Sequence, residues 1–393
     1  MKWLAVGIAA LVSNAYAQKE QWLEYHMLSQ ASSSRGYRYL DVTTNVPAGL
    51  TLPKLNAQPY FVRWTTPLDS SGGRWLCFDR SRKTGPYDRV YVDVKGDGKL
   101  DGQTPLSSTS IDQLSSSSGG DAYYTHFGPA KFVFKGEDGP TTYHIYFELM
   151  KISPTDIRML VESGGYYAGN LDIAGKKRHV ELIDVNVNGA FNDQGTDLRN
   201  SDAIEVQGDK LPRHGLGKLL EFDGQYYRLE IARDGAFIKL QKAEDLEFGQ
   251  LKVPETITEL TVLGANGHFI RKPVKGQLSL PAGQYAVQDW SISRKDSKNV
   301  SWQLQGSNFK SNNPALFEIV AGKPATIQIG EPFRLGLRAN ESASPSIGFN
   351  LDFLGSYGES VQLEKGNATP PGPKLSLVSL KGTYKSTNTF EFG

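Results

Sequence analysis

Apolar and polar residues alternate along most of this chain with a period of two. In Tyr37-Arg38-Tyr39-Leu40-Asp41-Val42, Tyr60-Phe61-Val62-Arg63-Trp64, Ala130–Phe134, Thr142–Leu149 and Ile157–Val161, every second side chain suits a buried face. That is the pattern of strands with one face in a core and one in water. One stretch breaks it. Glu20–Leu28 places Trp22, Leu23, Tyr25, Met27 and Leu28 at helical spacing and predicts a short helix. Beyond it, Val180–Ile183, Lys218–Phe222, Tyr226–Ile231 and Phe237–Leu240 read as strands, with turns at Gly175, Asp223-Gly224 and Asp234-Gly235.

From about residue 251 the charge thins and short apolar runs follow one another, from Leu260–Leu263 through Phe349–Phe353. The fold class predicted is mainly β, built as multi-module antiparallel β-sandwiches with little helix and an immunoglobulin- or transthyretin-like C-terminal module. The modules expected are 18–165, 166–250 and 251–393, after a leader at 1–17. Phe248-Gly249-Gln250-Leu251 resembles Ala168-Gly169-Asn170-Leu171, and Asn266-Gly267-His268-Phe269 resembles Asn188-Gly189-Ala190-Phe191. The spacing, about 80 to 90 residues, is that of a domain and not of a solenoid. Duplication and the common reuse of Asn-Gly turns both account for it.

The leader changes the picture of compartment. Lys2, the apolar run Leu4–Val12 and Ala15-Tyr16-Ala17 form a secretory signal with a small-residue cleavage site, so the mature chain is expected to begin at Gln18, secreted to the periplasm or beyond. No later run approaches the roughly 20 apolar residues of a membrane helix, so no membrane span is expected. The single cysteine, Cys77, excludes an internal disulfide and reads as a small buried hydrophobe between Leu76 and Phe78. A net charge of +1 with bases and acids interspersed leaves no footprint for nucleic acid. The serine-rich stretch Ser107–Gly120 reads as a surface loop.

Without disulfides, the loops need another stabiliser, and one stretch supplies a candidate. Asp184, Asn186 and Asn188 stand at the first, third and fifth positions of a loop, Gly189 at the sixth, Ala190 at the seventh offering its carbonyl, and Asn192 at the ninth. This spacing of oxygens around a glycine turn is what calcium requires. Asp193 or Asp197 completes the shell. A second stretch places Asp93, Asp97, Gly98, Lys99 and Asp101 at the first, fifth, sixth, seventh and ninth positions, with Lys99 offering its carbonyl, but Lys95 stands at the third, where an ammonium cannot ligate a cation. Calcium and a plain Asp-Gly turn are both open there.

Both stretches resemble EF-hand and dockerin-type calcium loops, with strands in place of the preceding helix and with Gly195 and Thr104 at the twelfth position, where that pattern has glutamate. The order of parts, with the signal, the Asp184 loop, the Leu280–Tyr285 turn and the terminal Phe390-Glu391-Phe392-Gly393, is similar to that of large secreted bacterial β-proteins of uncharacterised function. That likeness implies no particular activity; the resemblance of the loops to EF-hand and dockerin-type loops implies calcium as cofactor.

Enzyme motifs are lacking. The sequence has no Gly-x-Ser-x-Gly elbow, no His-Glu-x-x-His and no phosphate or dinucleotide loop, and its six histidines (His26, His126, His144, His179, His214, His268) stand singly, each expected at the surface or between strands. A glycoside hydrolase would need only two carboxylates brought together by the fold, and nothing in the spacing selects them. Trp64, Trp75, Tyr123, Tyr124, Tyr166, Tyr167, Tyr226, Tyr227, Trp290 and Trp302 would stack on sugars if exposed, although adjacent tyrosines in a strand put one ring in the core and one outside. The reading is a secreted, calcium-stabilised structural or interaction protein, its partner an extracellular polysaccharide or a cell-surface protein; the alternatives are a carbohydrate-binding protein or a secreted glycoside hydrolase.

Overall fold

In the computed structural model, residues 20–29, 35–114, 122–136, 139–209, 211–310, 313–341, 347–366 and 368–390 are described. The expected leader, part of the serine-rich stretch, Asn367 and the last three residues lie outside them. The described residues form strands and no helix, in seven sheets. Among the described strands, pairing is antiparallel except between Phe248–Lys252 and Pro324–Thr326, and an isolated bridge between Thr51 and Lys99 is also parallel. The mainly β, multi-module antiparallel class is therefore observed. No helix among these residues is long and apolar enough to cross a membrane.

The helix expected at Glu20–Leu28 is instead two short strands. Glu20–Trp22 pairs with Phe237–Lys242, and Glu24–Met27 pairs with Gly165–Ile173. Two sheet edges offer the segment main-chain partners along its whole length, while a helix of that length is marginal alone and its apolar face would have had to bury together. Only Leu23 enters the core, at 7% exposure, and Trp22 stays 66% exposed.

Three five-stranded sheets surround the first core. One runs Tyr37–Leu40, Ile157–Ser163, Gly139–Lys151, Tyr123–Gly136, Ser110–Gln113 in spatial order; a second Val42–Thr43, Tyr60–Thr65, Gly73–Asp79, Arg89–Val92, Leu106–Ser107; a third His214–Gly215, Ala203–Val206, Lys176–Ile183, Gly165–Ile173, Glu24–Met27. Trp64, Phe132, Tyr143, Phe147, Leu182 and Phe191 fill the space between them, and this cluster draws on side chains from both sides of residue 165. Ala174-Gly175 and Asp223-Gly224, at positive φ, close two of the hairpins as expected of turns matched to strand twist.

The second core lies between Leu219 and Val361 and centres on Trp290 and Tyr285. The indole of Trp290 donates to Glu359 Oε1 at 2.8 Å, and that buried carboxylate also accepts the main-chain N–H of Gly330 at 2.9 Å and of Tyr357 at 3.0 Å. Such a carboxylate is tolerated inside because its oxygens are satisfied. Main chain and side chains both join the two cores: Arg271 pairs with Glu221 at 2.8 Å. Lys218 N–H meets the Ala265 carbonyl at 2.8 Å, and Gly217 lies against Gly267 so closely that a Cβ there would overlap it.

His268 sits at this junction, 6% exposed, its Nδ1 accepting the Gly215 N–H at 3.1 Å. Burial, with the neighbouring His214 adding to it, pushes its pKa down to about 4. A histidine held neutral in the fold contributes fully above its ordinary value near 6.5 and progressively less as the pH falls toward 4. Stability should thus drop by about 1–3 kcal/mol between pH 7 and pH 4 through this group. Urea unfolding across that range checks it: His268→Asn, which keeps an acceptor and cannot titrate, should show a visibly flatter pH dependence than the wild type.

Candidate metal centre

Strand Lys176–Ile183 delivers Asp184 into the interior, where it is fully buried. Its Oδ1 accepts the Asn188 N–H at 3.2 Å; its Oδ2 accepts the Gly189 N–H at 2.6 Å and the Tyr143 hydroxyl at 2.7 Å. The turn this creates needs φ of +91° at Gly189, a region that favours glycine. It also needs +53° at Val187, whose side chain is anchored in the core and whose carbonyl accepts the buried Trp64 indole N–H at 2.7 Å. Asn188 Oδ1 caps the Ala190 N–H at 2.8 Å.

The loop then folds back. Asn186 Nδ2 and Asn188 Nδ2 both donate to Asp193 Oδ2, at 2.9 and 2.6 Å. Of the two residues expected to complete the shell, the fold brings in Asp193 and not Asp197, whose carboxylate is held by Arg199 at 3.1 and 3.0 Å. Asn192 is exposed. Two residues that the spacing did not reveal take part. Asp202, fully buried, accepts the N–H groups of Val185 and Asp193, and Ser201 is buried with its hydroxyl unpartnered. They stand just before strand Ala203–Val206, which pairs with Lys176–Ile183, so the sheet register is what returns them to the loop.

Asp184, Asp193 and Asp202 therefore lie within electrostatic reach of one another. Burial, more than anything else, lifts the Asp184 carboxyl to about 6, with the charge of Asp193 adding and the three hydrogen bonds opposing. Asp202 is pushed well above the carboxylate range by burial and then by the charge of Asp184. A base near Asp184, Arg38, has its guanidinium bound to the carbonyls of Thr65 and Val187. Carboxylates in excess of bases, in low dielectric, form a place where a cation is favoured. Asn186 Oδ1 is also buried without a partner. Turning that amide about its last torsion would face this oxygen toward Asp193.

Among the described residues no three His, Cys, Asp or Glu side chains gather as a metal-holding group. A cation in this loop would be held by one carboxylate, Asp193, together with amide, hydroxyl and main-chain oxygens. That donor set suits calcium and does not suit zinc.

The other stretch closes in the same way. Asp93, 2% exposed, accepts the Gly98 N–H at 3.1 Å and the Gly96 N–H at 2.8 Å, Gly98 has a φ of +72°, and Asp97 caps the Lys99 N–H at 3.1 Å. First-to-sixth and fifth-to-seventh bonds thus recur in both loops. The surroundings differ. The guanidinium of Arg74, paired with Asp69 at 2.6 Å, presses on Gly96; the Lys99 carbonyl is taken by the Gln103 amide; Asp97 and Asp101 are exposed. The base packed on this loop, Arg74, is already paired with Asp69, and Lys95 stands exposed at the third position.

No protein-family model, curated protein or solved structure matches the chain.

Cys77 is buried with Phe61, Tyr91 and Leu100, and burial raises its thiol to about 12, which leaves it unreactive. The histidines lie apart in function: His26 stacks on Tyr166 and His144 on Tyr25, His179 lies 3.5 Å from Glu181, and His126 sits between Asp112 and Glu148. His214 and His268 are buried instead of lying at the surface, because both strands run into the junction of the two cores. Trp64, Tyr123, Tyr227 and Trp290, read as stacking candidates, are buried as well, while Tyr124 is the outward member of its pair and Tyr226, half-buried, packs against the second core.

A Cβ on Gly189 would meet Leu68 Cδ1 at 3.0 Å at a φ that side chains rarely adopt. Gly189→Ala should cost about 1–3 kcal/mol. The same change at Gly224, also at positive φ but with open space around it, should cost less. Denaturant midpoints of the two variants check the order.

Proposed function

We propose that this chain is a secreted, calcium-stabilised β protein that acts by binding an extracellular partner and not by catalysis. The observation that carries the reading is the loop 184–202. It brings Asp184, Asp193 and Asp202 within electrostatic reach of one another with few bases, leaves Asn186 Oδ1 and Ser201 Oγ buried without partners, and converges two amides on one carboxylate oxygen. A Ca²⁺ held by Asp193 and Asn186 Oδ1 would offset the excess of carboxylates and give that amide oxygen a partner. It also supplies what a chain with one cysteine lacks, a clip that closes loops. The loop of Asp93, with Arg74 and Lys95 at hand, is read as a metal-free copy of the same turn. The leader at 1–17 gives the compartment, where calcium is plentiful and weak sites are filled.

Thermal unfolding in calcium, in magnesium and in chelator tests the ion. The midpoint should rise with calcium alone. Asn186→Ala combined with Asn188→Ala should abolish that rise while leaving the midpoint in chelator within a few degrees of the wild type. A change at the remote Lys95 should leave the calcium response intact. Equal midpoints for the wild type in calcium and chelator would contradict the assignment.

A further inference from the structure

The outward face of the sheet that contains Tyr123–Gly136 carries a pattern that the calcium reading does not use. Register places its side chains in rows. One row crosses all five strands as Tyr39, Leu160, Glu148, His126 and Ser110; beside it lie Tyr37, Glu162 and Tyr146 on one flank, and Arg158, Met150, Tyr124 and Asp112 on the other. Five strands at roughly 4.8 Å make the row about 19 Å long.

Tyr37 and Tyr39 are 61% and 58% exposed, with ring centroids 6.3 Å apart at 85°. Large aromatic rings left in water in such a group are uncommon without a partner. Between them and the far edge Leu160 and Tyr124 are half-buried and Tyr146 and Met150 buried, and the other side chains of the rows are polar. His126 is shared by Asp112, at 3.0 Å from Nε2, and Glu148, at 3.2 Å from Nδ1; Arg158 is tied in a bidentate pair to Asp156 at 2.9 Å; Glu162 adds a further carboxylate. Arg199, held by Asp197, adds a base near Tyr37; carboxylates still outnumber the bases, and each of these bases is engaged.

We infer that this face binds an extended, uncharged polysaccharide, with Tyr37 and Tyr39 stacking on sugar rings and Glu148, Glu162 and Asp112 accepting their hydroxyls. Charge decides the class. Excess carboxylate disfavours uronic or sulfated glycans and phosphodiesters, whereas neutral sugars offer apolar ring faces and donors together. The inference rests on the reading that the protein acts by interaction, and it links the face to the loop. Gly36, just before the Tyr37 strand, packs so closely on the main chain of Asp184 and Val185 that a Cβ would overlap it, and Arg38 reaches the Val187 carbonyl at 3.4 Å. The Asp184 turn is thus the seat of the strand that carries both tyrosines.

Affinity electrophoresis of the purified protein, in calcium, through gels containing soluble cellulose derivatives without charge, β-glucan, xylan, polygalacturonate or heparin tests this. Retardation by an uncharged polymer, weakened at least tenfold in Tyr37→Ala/Tyr39→Ala and unchanged in Trp22→Ala, is the expected result. Thermal midpoints in calcium and chelator, run on the same samples, show that each variant is folded and report the calcium response separately. Absence of retardation by every uncharged polymer, equal retardation of the tyrosine variant and the wild type, or stronger retardation by polygalacturonate or heparin would overturn the inference; an intact calcium response in those samples would leave the reading of the loop standing.

Discussion

One buried carboxylate holds the first core in register. Asp184 accepts a hydroxyl from Tyr143 in one sheet and two N–H groups from its own loop, and its main chain seats Gly36 at the head of another strand. Three residues on, the Val187 carbonyl receives the Trp64 indole from a third element. Sheets that share no strands are thereby joined through a span of a few residues. A carboxylate without a paired base is expensive to bury, so its hydrogen bonds are obligatory: removing one leaves the charge uncompensated. The geometry of the loop and the packing of the core are one constraint.

That constraint explains why two turns with the same local bonds differ in chemistry. Near Asp93 the guanidinium of Arg74, paired with Asp69, packs on the turn, the third position is an exposed lysine, and the fifth and ninth positions face water. Near Asp184 the third position is Asn186, the return of the chain adds Asp193 and Asp202, and negative charge accumulates in low dielectric. The proposed cation would complete the second and be redundant in the first.

Period-two alternation made most strands legible, because one buried face leaves little freedom in where a strand lies. It failed at Glu20–Leu28, where vacant edges elsewhere in the chain decided the structure and local spacing did not. The first six positions of the principal loop were legible for a different reason: Asp184 and Gly189 act within a single turn. Tyr143, Trp64, Ser201 and Asp202 were not, since sheet pairing across tens of residues brings them there. Tyrosine pairs followed alternation, Tyr123 and Tyr227 going inward, whereas the tyrosines left in water, Tyr37 and Tyr39, lie on an edge strand that no inner sequence signal distinguishes.

A crystal structure of the protein grown in calcium chloride tests the central claim most directly. The account predicts an anomalous peak inside the loop 184–202, with Asp193, Asn186 and main-chain oxygens at about 2.3–2.6 Å from it. A loop in which the Asn186 and Asn188 amides still donate to Asp193, with no peak between them, would contradict it.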